Sequence, residues 1–402
     1  MMKKQYLILI LTAFLIAFLP SCKKTAEYKA LIITGQNNHN WEASSPILKQ
    51  LLEETGLFSA EIAKTPEAGG DMSIFNPDFS KYKLVVLDYV GDSWSDNVKT
   101  EFVEYVKNGG GVVVYHASCM AFPEWKEYNQ ITGLGGWKDR NEKDGPYVYY
   151  VGNRLVVDTA RGPAGSHGAA HDFEVRTRIA DHPVTKGLPV RWMHGSDELY
   201  QQLRGPAENM QVLATAFADT AYKGTGRNEP VLLALEFGQG RIFHTLLGHA
   251  EEGGGPAMQC AGFIVTLKRG AEWAATGAVT QKVPSDFPTA AAVVLRPNLK
   301  EITLEEAFEM IAGYDIQKST RYYTYIQNEI RNAGGDAKKL LDLEKRMVKV
   351  LTSSEATEES KKLMLRELSW MGSDFCISAV RDLTAVPALQ DEAEYALERL
   401  NP

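Results

Sequence analysis

Histidine is concentrated in one stretch of this chain. Four of its eight, His167, His171, His182 and His194, fall within residues 166 to 200, beside Asp172, Asp181, Asp197 and Glu198. Imidazole titrates near neutrality and is the commonest metal ligand, so such a group among carboxylates, glycines and prolines reads as a polar site rather than a core. His167 and His171 are four apart, which suits two metal ligands on a helix face. Pro163, Gly165 and Gly168 disfavour a helix there, and a loop whose histidines bind substrate hydroxyls is the equal alternative. His182, within Asp181-His182-Pro183, reads as the brace of a turn. His194 with Asp197 and Glu198 suits acid–base or metal work, with surface ion pairing as the alternative.

Other candidates lie where strands end. The apolar run Val112 to Tyr115 leads into His116-Ala117-Ser118-Cys119, a place where a nucleophile elbow would present a side chain. No glycine frame surrounds Ser118 or Cys119, so Cys119 reads as a small buried hydrophobe and His116 as the functional group. His244 alternates with apolar neighbours in RIFHT and should face the core. His249, after Gly248, should point into a crevice at the strand end. Gly253-Gly254-Gly255 lacks the Lys-Ser/Thr of a phosphate loop, and no GxGxxG opens a helix, so nucleotide binding is unsupported.

These residues need a scaffold. YKALIIT at 28 to 34, SAEIA at 59 to 63, KLVVLDY at 83 to 89 and VVVY at 112 to 115 read as buried strands. Between them lie a helix beginning near Pro46, capped by Ser44 or Ser45, and an amphipathic helix over DNVKTEFVEYVKNGGG. Alternation of this kind gives a mostly parallel sheet with helices on both faces. Its ligand would sit outside the carboxyl ends of the strands. Three polar clusters follow such ends: Gln36, Asn38, His39 and Trp41; Asp88, Asp92, Ser93 and Trp94; and the His116 turn. Later strands are expected at 147 to 151, 154 to 158, 172 to 176, 211 to 215, 231 to 236 and 241 to 246. Residues 281–302 are Pro-rich and aperiodic, as a linker is, and 303–402 read as a small helical module in which AEYALERL resembles part of a HEAT-type repeat.

The beginning of the chain reads as a targeting segment. Lys3 and Lys4 precede an apolar run, Tyr6 to Leu19, too short to span a bilayer comfortably. Leu19-Pro20-Ser21-Cys22 resembles the lipobox of bacterial lipoproteins, with Cys22 as the acylated residue. The expectation is an exported protein facing the periplasm, held to the membrane by its lipid alone. The formal charge of −8, more negative once Lys3 and Lys4 are removed, argues against nucleic acid as a partner. Cys119, Cys260 and Cys376 form no CxxC pair and no disulfide framework. The oligomeric state is left open.

GGGVVVYHAS at 109 to 118, DHPVTKGLP at 181 to 189, DELY at 197 to 200 and FGQGRIFHTLLGH at 237 to 249 together resemble the ThuA-like, trehalose-utilisation family over about residues 28 to 290. The resemblance implies a flavodoxin-like fold similar to class I glutamine amidotransferases, spanning 28–280. It also implies that the amidotransferase nucleophile is replaced by His116. Family members accompany oxidoreductases that oxidise sugars at C3, which implies a role on 3-keto-glycosides and sugar 3-dehydrogenases as partners. A small carbohydrate is then the expected substrate, cleaved by hydrolysis or elimination. His116, His249, Glu198 and Asp88 are the candidate acids and bases. His39, Trp41, Trp94, Ser118, Trp137 and Asp197 would bind the sugar, and a divalent metal such as zinc would sit on His167, His171 or His194. A sugar-binding lipoprotein without turnover, and a scaffold that recruits partner enzymes, are the alternatives.

Overall fold

The computed structural model describes residues 26–284, 286–296, 304–316 and 321–400. The leader and Cys22 lie outside the described residues. Two compact units divide near residue 300.

In the first unit, β1 (Tyr28–Thr34), α1 (Trp41–Glu53), β2 (Phe58–Lys64), β3 (Leu84–Leu87), α2 (Asp96–Lys107), β4 (Gly111–Tyr115) and α3 (Lys126–Thr132) follow in order. Next come the hairpin β5 (Tyr147–Val151) and β6 (Arg154–Asp158), then β7 (Ser166–His167), β8 (His171–Thr177), β9 (Arg191–Asp197) and β10 (Tyr200–Gln201). The unit is completed by β11 (Met210–Phe217), β12 (Asn228–Phe237), β13 (Gly240–Thr245), α4 (Gly255–Gln259) and α5 (Ala261–Thr276).

The main sheet runs β2-β1-β3-β4-β13-β12-β11-β8-β9. The first five strands pair in parallel. From β13 onward the pairing is antiparallel, because Gly238 and Gln239 join β12 to β13 and two residues cannot make a crossover. Side-chain alternation sorts the buried strands into two cores. Ala30, Ile32, Leu84, Val86 and Val113 face Leu48 and Leu51 of α1 and Phe263 and Leu267 of α5. Leu31, Ile33, Val85, Leu87, Val112 and Val114 join Val98 and Phe102 of α2 and Ile131 of α3 on the other side.

Two local findings differ from the sequence-based expectation. Helix α1 begins at Trp41, because Asn40 takes the cap and accepts from the Ala43 amide at 3.1 Å. Ser44 and Ser45 are therefore buried inside the helix, with Ser44 donating to Asp88. Residues of the expected linker are bound to the α/β unit as far as 296: Met193 N donates to Thr289 O at 2.9 Å, Ala261 N to Val294 O at 2.9 Å, and Phe287 is buried.

The second unit holds α6 (Leu304–Ala312), α7 (Arg321–Asn332), α8 (Ala337–Thr352), α9 (Glu358–Met371), α10 (Ile377–Leu383) and α11 (Gln390–Leu400). They enclose their own core, including Ile311, Ile326, Met347, Met364, Leu368, Val380 and Ala396. Among the described residues no helix is long and apolar enough to cross a membrane.

Candidate functional site

Four side chains from distant parts of the sequence converge where the parallel strands end. His39 lies in the loop after β1, His116 directly follows β4, Glu198 directly follows β9, and His249 lies just beyond β13. One potential ligand atom from each falls within 4.8 Å of all the others. Glu198 Oε2 is 3.4 Å from His39 Nε2 and 3.2 Å from His249 Nδ1. The histidine rings stand edge to face, with centroids 4.9 Å apart for His39 and His116 and 4.7 Å apart for His39 and His249.

Each group is held from behind. His116 leaves β4 with a φ of 43°, a left-handed conformation uncommon for a residue with a side chain. Its Nδ1 is 2.8 Å from Leu246 O, and that carbonyl fixes Nδ1 as the protonated nitrogen. Nε2 then carries the lone pair, and it is buried without a hydrogen-bond partner. Burial pushes the His116 pKa down to about 3, so the ring is neutral at pH 7. Tyr200 stacks on it at 4.4 Å and places its hydroxyl 3.2 Å from His39 Nε2. Burial keeps that phenol protonated, with its pKa well above the usual value.

Asp197 ties two of the elements together. Its carboxylate accepts from the amides of Glu198 at 2.7 Å, Gly248 at 2.7 Å and His249 at 3.1 Å. Its remaining contact is His194 Nε2 at 2.7 Å, and both side chains are fully buried. Burial opposes the charge on His194, yet the neighbouring Cys260 and Asp197 outweigh it and hold the pKa up to about 10. Burial likewise opposes the charge on Glu198, but His249, His39 and His167 keep its carboxyl well below the usual range. Contact with Glu198 raises the pKa of His249 in return.

The expected site residues divide clearly. His39, His116, Glu198 and His249, assigned to different roles above, form one cluster. The expected metal trio does not assemble: His194 is spent on Asp197, and His171 stacks flat on Tyr222 at 3.8 Å. Only His167 reaches the rim, with Nδ1 3.9 Å from Glu198 Oε1. Trp137 also borders the site, half-buried, edge to face with Tyr200 at 4.7 Å. Trp94 cannot offer a stacking face, being 2% exposed among Phe75, Tyr89, Phe102, Phe122 and Trp125. Trp41 opens α1 and carries the Lys64 ammonium 5.0 Å over its ring.

Ser118 is buried and staples two strand ends, donating to Leu87 O at 2.7 Å and accepting from Tyr89 N at 2.9 Å. Asp88 lies behind the site, where burial raises its pKa to about 7. It accepts from Ser44 at 2.5 Å and Asn37 at 3.0 Å. Cys119 is buried and its thiol is pushed up to about 12, so it offers no thiolate nucleophile at neutral pH. Tyr200 escaped the sequence reading of site residues, although Glu198 and Tyr200 stand two apart in DELY and so share a side of extended chain.

The donor set suits a borderline metal such as zinc, which takes imidazole and carboxylate at about 2.0–2.2 Å. A lone pair aimed into the cluster, with the opposite ring nitrogen donating to a backbone carbonyl, is how metal-binding histidines are held.

The family model described as ThuA, trehalose utilisation, matches residues 29–274. No curated protein matches the chain. Among solved structures, a ThuA-like protein from Parabacteroides merdae is 53% identical with a TM-score of 0.67, covering 68% of this chain and 99% of its own. A ThuA-like protein from Bacteroides uniformis is 17% identical with a TM-score of 0.43, covering 64% of this chain and 94% of its own. A cytoplasmic protein from Salmonella typhimurium is 15% identical with a TM-score of 0.39, covering 61% and 98%.

Proposed function

The chain belongs to the ThuA family, which places it in carbohydrate utilisation at the family level, and from that premise we propose that it cleaves glycosides already oxidised to a ketone at C3. The observation that carries the proposal is the convergence of His39, His116, Glu198 and His249, with a buried, unpartnered nitrogen on His116. A 3-oxo group acidifies the proton on C2. A base removes that proton, the electron pair passes through the enolate to form the C1–C2 double bond, and the aglycone oxygen leaves from C1 and takes up a proton. Water added at C1 of the product gives net hydrolysis.

The four clustered residues are the proposed holders of a divalent ion, which when bound would polarise the oxygens of the keto sugar. Proton transfer then falls to the groups around them, His167 at the exposed rim and the Tyr200 hydroxyl. Trp137 supplies a flat apolar face for the sugar ring. Export, lipid attachment at Cys22 and supply of substrate by a sugar 3-dehydrogenase complete the proposal.

The test uses the chain beginning after Cys22, incubated with a 3-keto-glucoside or its unoxidised parent, with and without a chelator, and followed by mass spectrometry. Loss of the keto-glycoside alone is expected, and a product heavier by one water separates hydrolysis from elimination. Abolition by chelator assigns the cluster to metal. Turnover that survives chelation makes Glu198 and His249, 3.2 Å apart, the base and acid themselves. Neither sugar changing would reduce the protein to a sugar-binding one.

A further inference from the structure

The β5–β6 hairpin leaves the sheet of the first unit with an unguarded edge. Strand β6 pairs with β5 alone, and among the described residues nothing pairs with its outer side. Exposed edges normally carry lysines, prolines or bulges that block pairing with another chain. This one reads Arg154-Leu155-Val156-Val157-Asp158, with Leu155 44% and Val157 61% exposed. Those two lie opposite Tyr150 and Val148 of β5, so they extend the apolar face that Val148 buries. The other two ends of the sheet differ. The outer edge of β9 is met by Thr289, and β2 presents Glu61, paired with Lys29.

The strand is also its own complement. Antiparallel pairing of two copies around Val156 sets Arg154 opposite Asp158 twice, on one face. On the other face it sets Leu155 opposite Val157 twice, continuing the strip from Val148 and Tyr150. Opposite charges and aliphatic pairs directly across a ladder are the stabilising combinations, and like charges there are unfavourable. The outward N–H and C=O groups of this edge are in the geometry that a further antiparallel strand pairs with.

We propose that β6 is a self-association edge, pairing antiparallel with β6 of a second copy of this chain about a two-fold axis at Val156. The pairing joins the sheets of two protomers into one, as an isologous contact in which each protomer offers the same residues. It does not depend on the reaction assigned above.

Analytical ultracentrifugation of the chain beginning after Cys22 tests this. A concentration-dependent dimer is expected. Val157→Lys, on an exposed face where the monomer fold does not need it, should give a monomer. Arg154→Asp creates two like-charge pairs and should weaken association by about tenfold or more. Adding Asp158→Arg reverses both charges and should restore the dimer, with circular dichroism and thermal melting reporting whether the double variant keeps its fold. A wild-type protein that stays monomeric at every concentration overturns the proposal. So does a dimer indifferent to Val157→Lys and Arg154→Asp, since another surface would then be responsible.

Discussion

Asp197 organises the site without being one of the four clustered residues. One buried carboxylate holds the amides of Glu198, Gly248 and His249, and so sets the spacing of two cluster members. Replacing it by Asn leaves His194 without its anionic partner, which in a buried pair costs about 3–5 kcal/mol. Asp197→Asn should therefore melt lower and bind zinc about 10–100-fold more weakly. Glu198→Gln should lose zinc affinity in calorimetry while melting close to wild type, because Glu198 is half-buried at the mouth of the site. Equal losses of stability in the two variants would contradict this division of labour. Asp88 gives a separate test through pH. Its folded pKa of about 7 lies above the ordinary value of 3.8, so the folded state keeps a proton that the unfolded chain releases. That stabilising difference is fully present below about pH 4 and is lost as pH rises through 7. Asp88→Asn should flatten the fall in stability between pH 4 and 7, read by urea titration at each pH. Parallel curves for the two proteins would sink the assignment.

At the scale of elements, the site depends on how strands end. Strand β4 turns sharply at His116, and β13 ends in a segment where Gly248 adopts a φ of 103°. A Cβ on Gly248 would stand 2.5 Å from the Phe263 ring, so neither the backbone nor the space admits a side chain. Gly248→Ala should cost on the order of 1–3 kcal/mol and displace His249, lowering zinc affinity as well as the melting temperature. A variant that melts lower with unchanged zinc affinity would show that His249 is positioned independently of that turn. The antiparallel wing contributes differently. Strand β9 delivers Asp197 and Glu198, and β10, paired with β7, delivers Tyr200 beside His167.

At the scale of the whole molecule, the two units have separate cores. All four clustered residues belong to the first, and described residues as far as 296 are hydrogen-bonded to it. A chain ending at Arg296 should keep zinc binding and any turnover within about twofold, since among the described residues no cluster member or supporting hydrogen bond comes from beyond that point. Loss of both on truncation, with the α/β unit still folded by circular dichroism, would make the helical unit part of the site.

Much of this was legible in the chain itself. Short apolar runs separated by amphipathic helices specify a parallel sheet, because period-two and 3.6-residue patterns are local properties. Polar groups just after such runs, among them His39, His116 and His249, were therefore readable as site residues. The choice among histidines was not. His167, His171 and His194 are neighbours in sequence, but strand alternation and pairing send His194 inward to Asp197 and His171 onto Tyr222. His39, His116, Glu198 and His249 are separated by as many as 210 residues. Only the order of strands in the sheet, a non-local outcome of packing two cores at once, brings them to one point. The capping of α1 by Asn40 shows the same limit locally, since Asn and Ser are near-equal caps and burial of Ser44 against Asp88 settled which was used.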